Sequence, residues 1–285
     1  MNGTFVPKEQ LENFMKGGAM NSQYGIQVYL KIDAEKAQAL LPPPLKVARL
    51  AGLDGLGYIY IVNIREPTFG PWYMEGGLAV MAEYQGVQGM HFLGLMLSGP
   101  GALMGLCLGR EGSGLPKKLC ESIRVERLGG RGHCWIERGG IRLIDVELEM
   151  GSYNDPIMEQ LAAPQTGSSR DNPVTSDGAC LLFRSQIRDG AFKNMEMIHY
   201  ASPTRFYGWE AAAAAVTIRS SDDDPWGDLP VTGVYGAGWM VSDNWVTGQT
   251  VLHRYPDEEA LDVMPYLFRG RYDHCTLCRE HQIYE

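Results

Sequence analysis

The residues with the clearest chemical potential are two adjacent lysines, Lys117 and Lys118, which follow the most apolar part of the chain. No charged residue occurs between Glu83 and Arg110, just before them. A lysine amine attacks a carbonyl carbon only when it is unprotonated, and burial and a neighbouring positive charge both lower a lysine pKa from about 10.4 toward neutrality. Such a lysine can form an imine with a carbonyl substrate. The competing interpretation is a solvated turn, the usual place for a lysine pair.

The uncharged stretch before the lysines predicts a buried wall beside them. Met90 to Leu97 has the composition of a strand buried on both faces, Ser98 to Gly101 is a turn, and Ala102 to Leu108 is a short apolar helix or strand. The stretch is long enough to span a bilayer. Because His91, several glycines and a proline interrupt it, a buried core is favoured over a membrane span.

The rest of the chain is dominated by strand patterns, with few helices. Asp33 to Lys36 caps a predicted helix from Ala37 to Leu41, and a second helix is predicted from Pro256 to Phe268. The run Ala211 to Ala215 has helical propensity, but the β-branched residues that follow favour a strand. The other predicted strands are Ile26–Ile32, Tyr58–Ile64, Leu78–Tyr84, Ser122–Arg127, His133–Glu137, Ile141–Met150, Ala179–Ile187, Glu196–Ala201, Ala212–Arg219 and Val231–Val241. We therefore expect a mainly β domain, closed or nearly closed.

Composition excludes several functional classes. The 285 residues are 45% hydrophobic and 21% charged, which is ordinary for a globular protein. With 34 acidic against 25 basic residues the net charge is −9, so attraction to a phosphate backbone is absent and a nucleic-acid partner is not expected. Met1 to Gln10 has no apolar core, so no signal peptide or membrane anchor is predicted. The six cysteines are interpreted as thiols in a cytoplasmic protein.

The segment around the lysines resembles the acetoacetate decarboxylase superfamily, whose signature is Gly-Arg-Glu, four variable residues and Pro-Lys-Lys. These positions are all present, from Gly109-Arg110-Glu111 to Pro116-Lys117-Lys118. Tyr73 to Gly77 is similar to the Tyr-x-Glu-x-Gly of the family, and Trp226 to Tyr255 is similar to its C-terminal strands. The resemblance covers about Asn21 to Tyr255. It implies a cone-shaped antiparallel β-barrel that encloses the active site and assembles into homo-oligomers.

The resemblance also implies roles for three residues. Lys117 is the Schiff-base lysine, and Lys118 is the neighbouring cation that helps to keep its pKa low. Glu75 matches the active-site glutamate and would carry a proton to or from the enamine, unless it is a strand-end carboxylate that faces water. A protonated imine is an electron sink, so a carbon–carbon bond β to it can break with loss of carbon dioxide or by retro-aldol cleavage. This chemistry implies no cofactor and no metal.

Two active-site groups of the decarboxylases are missing. Their Asn-Arg-Glu-Tyr corresponds to Asn21-Ser22-Gln23-Tyr24, which lacks the arginine, and a second glutamate of theirs falls at Tyr60. Tyr60 would either donate a hydrogen bond to the substrate or simply fill the barrel. Arg110 is a candidate counter-charge for a substrate carboxylate, or it braces a turn with Glu111. A changed substrate or reaction is therefore expected.

The end of the chain carries a second cluster of chemically active side chains. His274-Cys275-x-x-Cys278-x-x-His281 offers zinc-type ligands, but the spacing is too cramped for all four to reach one metal easily, so free thiols are favoured. We interpret residues 1–285 as a single domain in which residues 256–285 form a C-terminal extension that covers a barrel mouth or forms a subunit contact.

The expected function is a cofactor-free Schiff-base carbon–carbon lyase that acts on a keto acid or related carbonyl compound, but not on acetoacetate itself. The first alternative is a Schiff-base aldolase–dehydratase or hydratase that acts on a larger oxo acid. The second is a non-catalytic barrel that binds an apolar small molecule. The presence of both Lys117 and Glu75 argues against simple binding, which needs neither. The expected partner is a small-molecule carbonyl substrate.

Overall fold

The computed structural model describes residues 7–14, 18–50, 52–189 and 191–273, and strands dominate it. The strands are β1 Ala19–Ile32, β2 Lys46–Val47, β3 Leu56–Pro67, β4 Tyr73–Tyr84, β5 Val87–Ser98, β6 Lys117–Leu119, β7 Ser122–Leu128, β8 Arg131–Arg138, β9 Ile141–Met150, β10 Val174–Ser176, β11 Ala179–Arg188, β12 Ala191–Ala201, β13 Thr204–Ile218, β14 Val231–Trp245 and β15 Gly248–Arg254. The helices are α1 Lys8–Phe14, α2 Ala34–Gln38, α3 Ala102–Ser113, α4 Ile157–Leu161 and α5 Asp257–Arg271, with a 3-10 turn at Trp226–Asp228.

All of these strands belong to one sheet, which is mostly antiparallel. Its order is β15-β12-β11-β5-β4-β3-β1-β14-β13-β9-β8-β7, with β10 on β13, β2 on β4 and β6 on β5. The pairings of β11 and β6 with β5 are parallel. Within the described part of the chain, the two ends of this order, β15 and β7, are not paired with each other.

The mainly β fold is therefore confirmed, but the expected cone-shaped barrel overstates its closure. The end of the sheet folds over, so that β7 lies against β3, β4 and β5. Ile123 of β7 and Ile136 of β8 join the same buried cluster as Ile26 of β1 and Ile59 of β3. The core is completed by burial of apolar side chains between β7 and β8 on one side and the central strands on the other, rather than by a continuous ladder of backbone hydrogen bonds.

The predicted elements occur nearly where the sequence patterns placed them. Each predicted strand lies within an observed one, except that the pattern ending at Arg219 runs one residue past β13, and the alanine run is in β13. The uncharged stretch forms β5 and α3, so the segment after the turn is a helix and not a strand. The predicted helix from Ala37 is shifted: α2 begins at Ala34, directly after Asp33, which caps it by accepting a hydrogen bond from the Lys36 backbone N–H.

The membrane interpretation of the uncharged stretch receives no support from the helices. Among the described residues, no helix is both long and apolar enough to cross a bilayer. Leu95, Met96 and Leu97 of β5 are nearly inaccessible to solvent and belong to the packed interior.

A glycine turn fixes the chain between α3 and β6. Gly114 ends α3 with φ 78°, in the left-handed region. A Cβ atom there would lie 1.9 Å from the backbone oxygen of Phe183, so the close approach of β11 also requires glycine. The chain then enters β6 at Lys117, beside Leu95 of β5. Successive side chains of a strand point to opposite faces, so Lys117 and Lys118 diverge.

Candidate active site

A cavity of about 440 Å³ lies between the inner faces of the central strands and α3. It opens beside α3, where Met104 and Leu108 line it and are also exposed. Among the described residues that line it, Lys117 is the one lysine or arginine, and the acids are Glu75 and the exposed Asp177. Five tyrosines contribute to the wall: Tyr29, Tyr58, Tyr60, Tyr73 and Tyr200.

Three of the residues singled out in the sequence meet in this cavity. The Lys117 ammonium lies 2.6 Å from Glu75 Oε2, and the Tyr60 hydroxyl donates a hydrogen bond to Glu75 Oε1. Lys117 is 3% exposed and Glu75 is 4% exposed, so neither group is a solvated surface charge. Lys117 Nζ also donates to the backbone oxygen of Gly105 in α3, at 3.3 Å. The Tyr60 ring therefore both fills the cavity and holds the carboxylate through its hydroxyl.

The glycine of the Gly-Arg-Glu motif makes room for the Lys117 side chain. A Cβ atom at Gly109 would lie 2.8 Å from Lys117 Cδ, 2.8 Å from Cε and 2.9 Å from Nζ. The lysine stem thus rests directly on the backbone of α3, one turn after Gly105. Sequence reasoning missed this role, although the fixed distance between the glycine and the lysine in the signature was a usable signal.

Lys118 lies on the other face of β6, outside the cavity. Its ammonium is 2.9 Å from Asp224 Oδ1 and 3.1 Å from Asp273 Oδ1, and it donates to the backbone oxygen of Asp223 at 3.0 Å. Arg138 pairs with the same two carboxylates, at 2.6 and 2.8 Å. The expected role of Lys118, as the neighbouring cation that helps to keep the pKa of Lys117 low, stays a prediction. Strand alternation separates the two side chains, and Lys118 is paired with two carboxylates.

Arg110 also lies outside the cavity, in contrast to the expectation that it binds a substrate carboxylate. It pairs with Glu111 at 2.7 Å and donates to the backbone oxygens of Arg271 at 3.0 Å and Lys117 at 3.4 Å. Its guanidinium lies over the Tyr272 ring, 5.4 Å from the centroid. The alternative structural role fits this geometry, because Arg110 braces the junction of α3, β6 and α5.

The end of α5 supports the same junction from within. Arg271 is buried, and it donates to the backbone oxygens of Gly114, at 2.8 Å, and Phe183. Burial lowers the pKa of this guanidinium to about 10. Both carbonyl groups flank the turn that leads into β6, so α5 helps to position the strand that carries Lys117.

The aromatic and sulfur groups of the cavity remain protonated around neutral pH. Burial raises the pKa of Tyr58, Tyr60 and Tyr200 above the ordinary value, and it raises the pKa of the Cys180 thiol to about 12. These side chains are neutral hydrogen-bond donors rather than anions. Sequence reasoning identified Tyr60 but missed the other tyrosines; Tyr58, two residues earlier on the same face of β3, was the available signal.

The cysteine predictions can be followed only in part. Cys107, Cys120, Cys134 and Cys180 are free thiols. The cluster from His274 to His281 lies outside the described residues. Within residues 7–14, 18–50, 52–189 and 191–273, no group of three or more His, Cys, Asp and Glu side chains could hold a metal ion.

The chain resembles known proteins along most of its length. The family described as acetoacetate decarboxylase (ADC) matches residues 5–256. A "CLA biosynthesis isomerase" from Lactiplantibacillus plantarum is 30% identical over 277 residues, which is 95% of each chain.

Solved structures share the fold at low sequence identity. Acetoacetate decarboxylase from Legionella pneumophila gives a TM-score of 0.65 at 15% identity, over 84% of this chain and 88% of that one. An acetoacetate decarboxylase-like enzyme from Sphingomonas wittichii gives 0.61 at 19% identity, over 84% and 93%. The enduracididine biosynthesis enzyme MppR, with HEPES bound, gives 0.60 at 12% identity, over 88% and 90%.

Proposed function

Because the chain belongs to the acetoacetate decarboxylase family, we propose that it is an enzyme that forms a Schiff base between Lys117 and a small carbonyl compound. Glu75 carries protons between the amine, water and the substrate carbon. The observation that carries this proposal is the buried 2.6 Å contact between Lys117 and Glu75 inside an aromatic-lined cavity. A pair that only stabilised the fold would not need to face open space.

The Lys117–Glu75 contact supplies the proton transfers for imine formation. The ammonium passes a proton to the carboxylate, which leaves a neutral amine that attacks the substrate carbonyl carbon. The carboxylic acid then returns its proton to the hydroxyl group of the carbinolamine, which leaves as water. The products are a protonated imine on Lys117 and a Glu75 carboxylate, so the net charge of the site is unchanged.

The same carboxylate is placed to act on the imine. A protonated imine acidifies the hydrogens on the adjacent carbon, and Glu75 Oε2 accepts one of them to give an enamine. Return of that proton to the same carbon regenerates the substrate. With a β,γ double bond, return to the γ carbon moves the double bond into conjugation. The Tyr60 hydroxyl, held on Oε1, leaves Oε2 as the oxygen that exchanges protons.

We favour this isomerisation over decarboxylation for two reasons. The relative that is 30% identical along 95% of the chain bears the name of an isomerase. In addition, the one lysine or arginine among the described residues of the cavity is already paired with Glu75. A substrate carboxylate next to the reacting carbon would face Glu75 at close range, and like charges about 4 Å apart repel by about 4 kcal/mol near a protein surface. A neutral ketone meets no such repulsion.

Carbon–carbon bond cleavage, by decarboxylation or retro-aldol reaction, is the second candidate, and the match to the decarboxylase family over residues 5–256 favours it. It uses the same imine and differs only in the bond that breaks. Direct measurement of carbon dioxide released from acetoacetate separates the two reactions. Rapid release would show that the missing arginine and second glutamate do not matter.

Trapping of the imine tests the proposal. Borohydride reduction with neutral methyl ketones, pyruvate or acetoacetate should add mass at Lys117, which fragmentation distinguishes from Lys118. The wild type should also exchange the α hydrogens of the ketone with deuterium oxide. Glu75→Gln should form the trapped adduct more slowly, because Glu75 also serves imine formation, and it should lose exchange altogether. If no compound gives an adduct, the proposed Schiff-base enzyme is refuted, and non-catalytic binding of a small molecule becomes the favoured function.

A cytoplasmic location and a homo-oligomeric state stay predictions. Cell fractionation tests the location, and light scattering tests the oligomeric state.

A further inference from the structure

The cavity contains a second polar arrangement, formed by Tyr29, Gln27 and Tyr58 on β1 and β3. The Tyr29 hydroxyl donates a hydrogen bond to Gln27 Oε1 at 3.2 Å, and the Gln27 side chain lies near enough to Tyr58 to oppose the rise in the pKa of its hydroxyl that burial causes. Tyr29 and Tyr58 are direct partners in the sheet, and their rings meet edge to face at 5.6 Å. All three side chains line the cavity, and Gln27 is only 8% exposed.

The direction of the Tyr29–Gln27 hydrogen bond leaves one donor free beside Tyr58. Because Gln27 Oε1 accepts from Tyr29, the remaining polar group of that side chain is its amide NH2, which is a donor. The Tyr58 hydroxyl keeps its own proton, since burial raises its pKa well above the ordinary value. In the described part of the chain, no acceptor for that proton is found. Tyr58 is thus an oriented donor that faces the cavity.

This donor lies at a defined distance from the proposed reaction centre. The rings of Tyr58 and Tyr60 are stacked, with centroids 6.2 Å apart, and Tyr60 holds Glu75. In the register of the sheet, Tyr60 lies opposite Gly77, which lies opposite Leu95, the partner of Lys117. Tyr58 comes two residues before Tyr60 in β3, so along the strand it is roughly 7 Å from the level of Tyr60 and Lys117, on the side away from Glu75.

We propose that Tyr58, oriented by Gln27 and Tyr29, binds a second oxygen atom of the substrate and so selects ketones that carry a hydrogen-bond acceptor a short carbon chain away from the reacting carbonyl. The acceptor is a hydroxyl, keto or carboxylate oxygen. This inference rests on the proposed function, because it places the reacting carbonyl at Lys117. The preference arises because a plain ketone leaves the buried donor without a partner, whereas an oxygenated ketone satisfies it.

A matched pair of probes tests the selection. The probes are a medium-chain methyl ketone and the same ketone with a terminal hydroxyl group, in a series of chain lengths. Calorimetry measures their binding, and borohydride trapping measures adduct formation at Lys117. We expect the wild type to bind the hydroxylated probe of the best length about tenfold more tightly than the plain ketone, since one hydrogen bond contributes about 1 kcal/mol or somewhat more.

Three variants locate the effect. Tyr58→Phe should abolish the preference, so that the two probes bind with equal affinity, and Tyr29→Phe should reduce the preference by a smaller factor. Tyr24→Phe is the control, because its hydroxyl accepts from Asn63 at 3.2 Å and its side chain does not line the cavity. It should retain the full preference. Far-ultraviolet circular dichroism and melting curves verify that each variant is folded.

The two proposals fail in different ways. If the wild type forms the adduct but shows no preference, or if Tyr58→Phe keeps the preference, the assignment of Tyr58 is wrong and the Schiff base stands. If the preference depends on Tyr58 but no adduct is trapped, the acceptor subsite stands and the Schiff-base function is refuted. If the wild type shows neither the preference nor the adduct, both proposals are wrong.

Discussion

The two adjacent lysines of β6 lie on opposite faces of the strand and have different surroundings. Lys117 is 3% exposed and Lys118 is 4% exposed, so both ammonium groups are buried. Lys117 has one carboxylate partner, Glu75, and faces a cavity. Lys118 has two carboxylate partners, Asp224 and Asp273, and a backbone oxygen, and it does not line the cavity.

The difference shows what separates a reactive group from a structural one when burial and residue type are equal. A nucleophile needs room for its substrate and a partner that can take its proton. A structural charge needs every donor satisfied, because an unpaired buried charge is costly. The Lys118 face also includes Arg138, so that two cations and two carboxylates balance. We therefore expect changes on the cavity face to alter chemistry and changes on the other face to alter stability.

The largest expected effect is on the cavity face. Lys117→Met should abolish borohydride-trapped adduct and turnover, because no other described amine lines the cavity. The loss of stability should be smaller than for Lys118→Met, since methionine fills a similar volume, Tyr60 still donates a hydrogen bond to Glu75, and Glu75 faces a cavity that can admit water to its carboxylate. Mass spectrometry and thermal melting measure the two properties. An adduct that persists at another lysine would contradict the comparison.

Lys118→Met should give the largest loss of stability. Its removal leaves Asp224 and Asp273 with Arg138 as their only cation in the cluster, and breaking a buried ion pair costs about 3–5 kcal/mol. Urea unfolding measures this loss. Adduct formation at Lys117 should persist in the folded fraction, and addition of Asp273→Asn to the variant should recover part of the stability. Loss of the adduct in a folded Lys118→Met protein would show that both lysines serve the chemistry.

Gly109→Ala tests whether the position of Lys117 depends on contact with α3. The new methyl group would lie 2.8 Å from the Cδ and Cε atoms of Lys117, so the stem must shift away from α3, which changes the position of the ammonium group relative to Glu75. We expect the rate of adduct formation to fall roughly 10- to 100-fold. Gly112→Ala, in the same helix with nothing within 4 Å of the new atom, is the control. It should keep the full rate and gain about 0.5–1 kcal/mol of stability from helix propensity.

Tyr60→Phe tests the support of the carboxylate. Loss of the hydroxyl removes a hydrogen bond to Glu75 Oε1, and a hydrogen bond to a charged group contributes about 1.5–3 kcal/mol. We expect α-hydrogen exchange to slow by roughly tenfold while the amount of trapped adduct is nearly unchanged. Proton nuclear magnetic resonance in deuterium oxide measures the exchange. Equal losses of exchange and trapping would mean that Tyr60 holds the site together rather than tuning Glu75.

The smallest effect concerns acid stability on the Lys118 face. Burial by itself raises the pKa of Asp273, but hydrogen bonds from Arg138 and Lys118 hold it below its ordinary value of 3.8. A lowered carboxyl pKa stabilises the folded state above about pH 4, and this contribution disappears as the pH falls through the lowered pKa. Asp273→Asn should therefore lower the melting temperature at pH 7 and have less effect near pH 2. An equal loss at both values would contradict the ionic role.

Local sequence patterns predicted most of the fold because they reflect local physics. Alternation of apolar residues located the strands, and Asp33 located the start of α2 to within a few residues. The folding of β7 over the central strands was not predictable, since it depends on contacts between Ile123 and residues distant in the chain. For that reason the predicted barrel was too closed. The exposed or buried state of Arg110 was equally undecided until its contacts with α5 were known.

The sequence by itself determined the types of the reactive groups and that the two lysines are adjacent. Their separation followed from the pairing of β6 with β5, because adjacent residues of a strand point to opposite faces. Only the tertiary structure decided which face is reactive. Glu75 lies 42 residues before Lys117, and Asp224 lies 106 residues after Lys118. Pairings at such distances along the chain arise from the packing of the whole sheet. They give one lysine a cavity with a single carboxylate and surround the other with fixed charges.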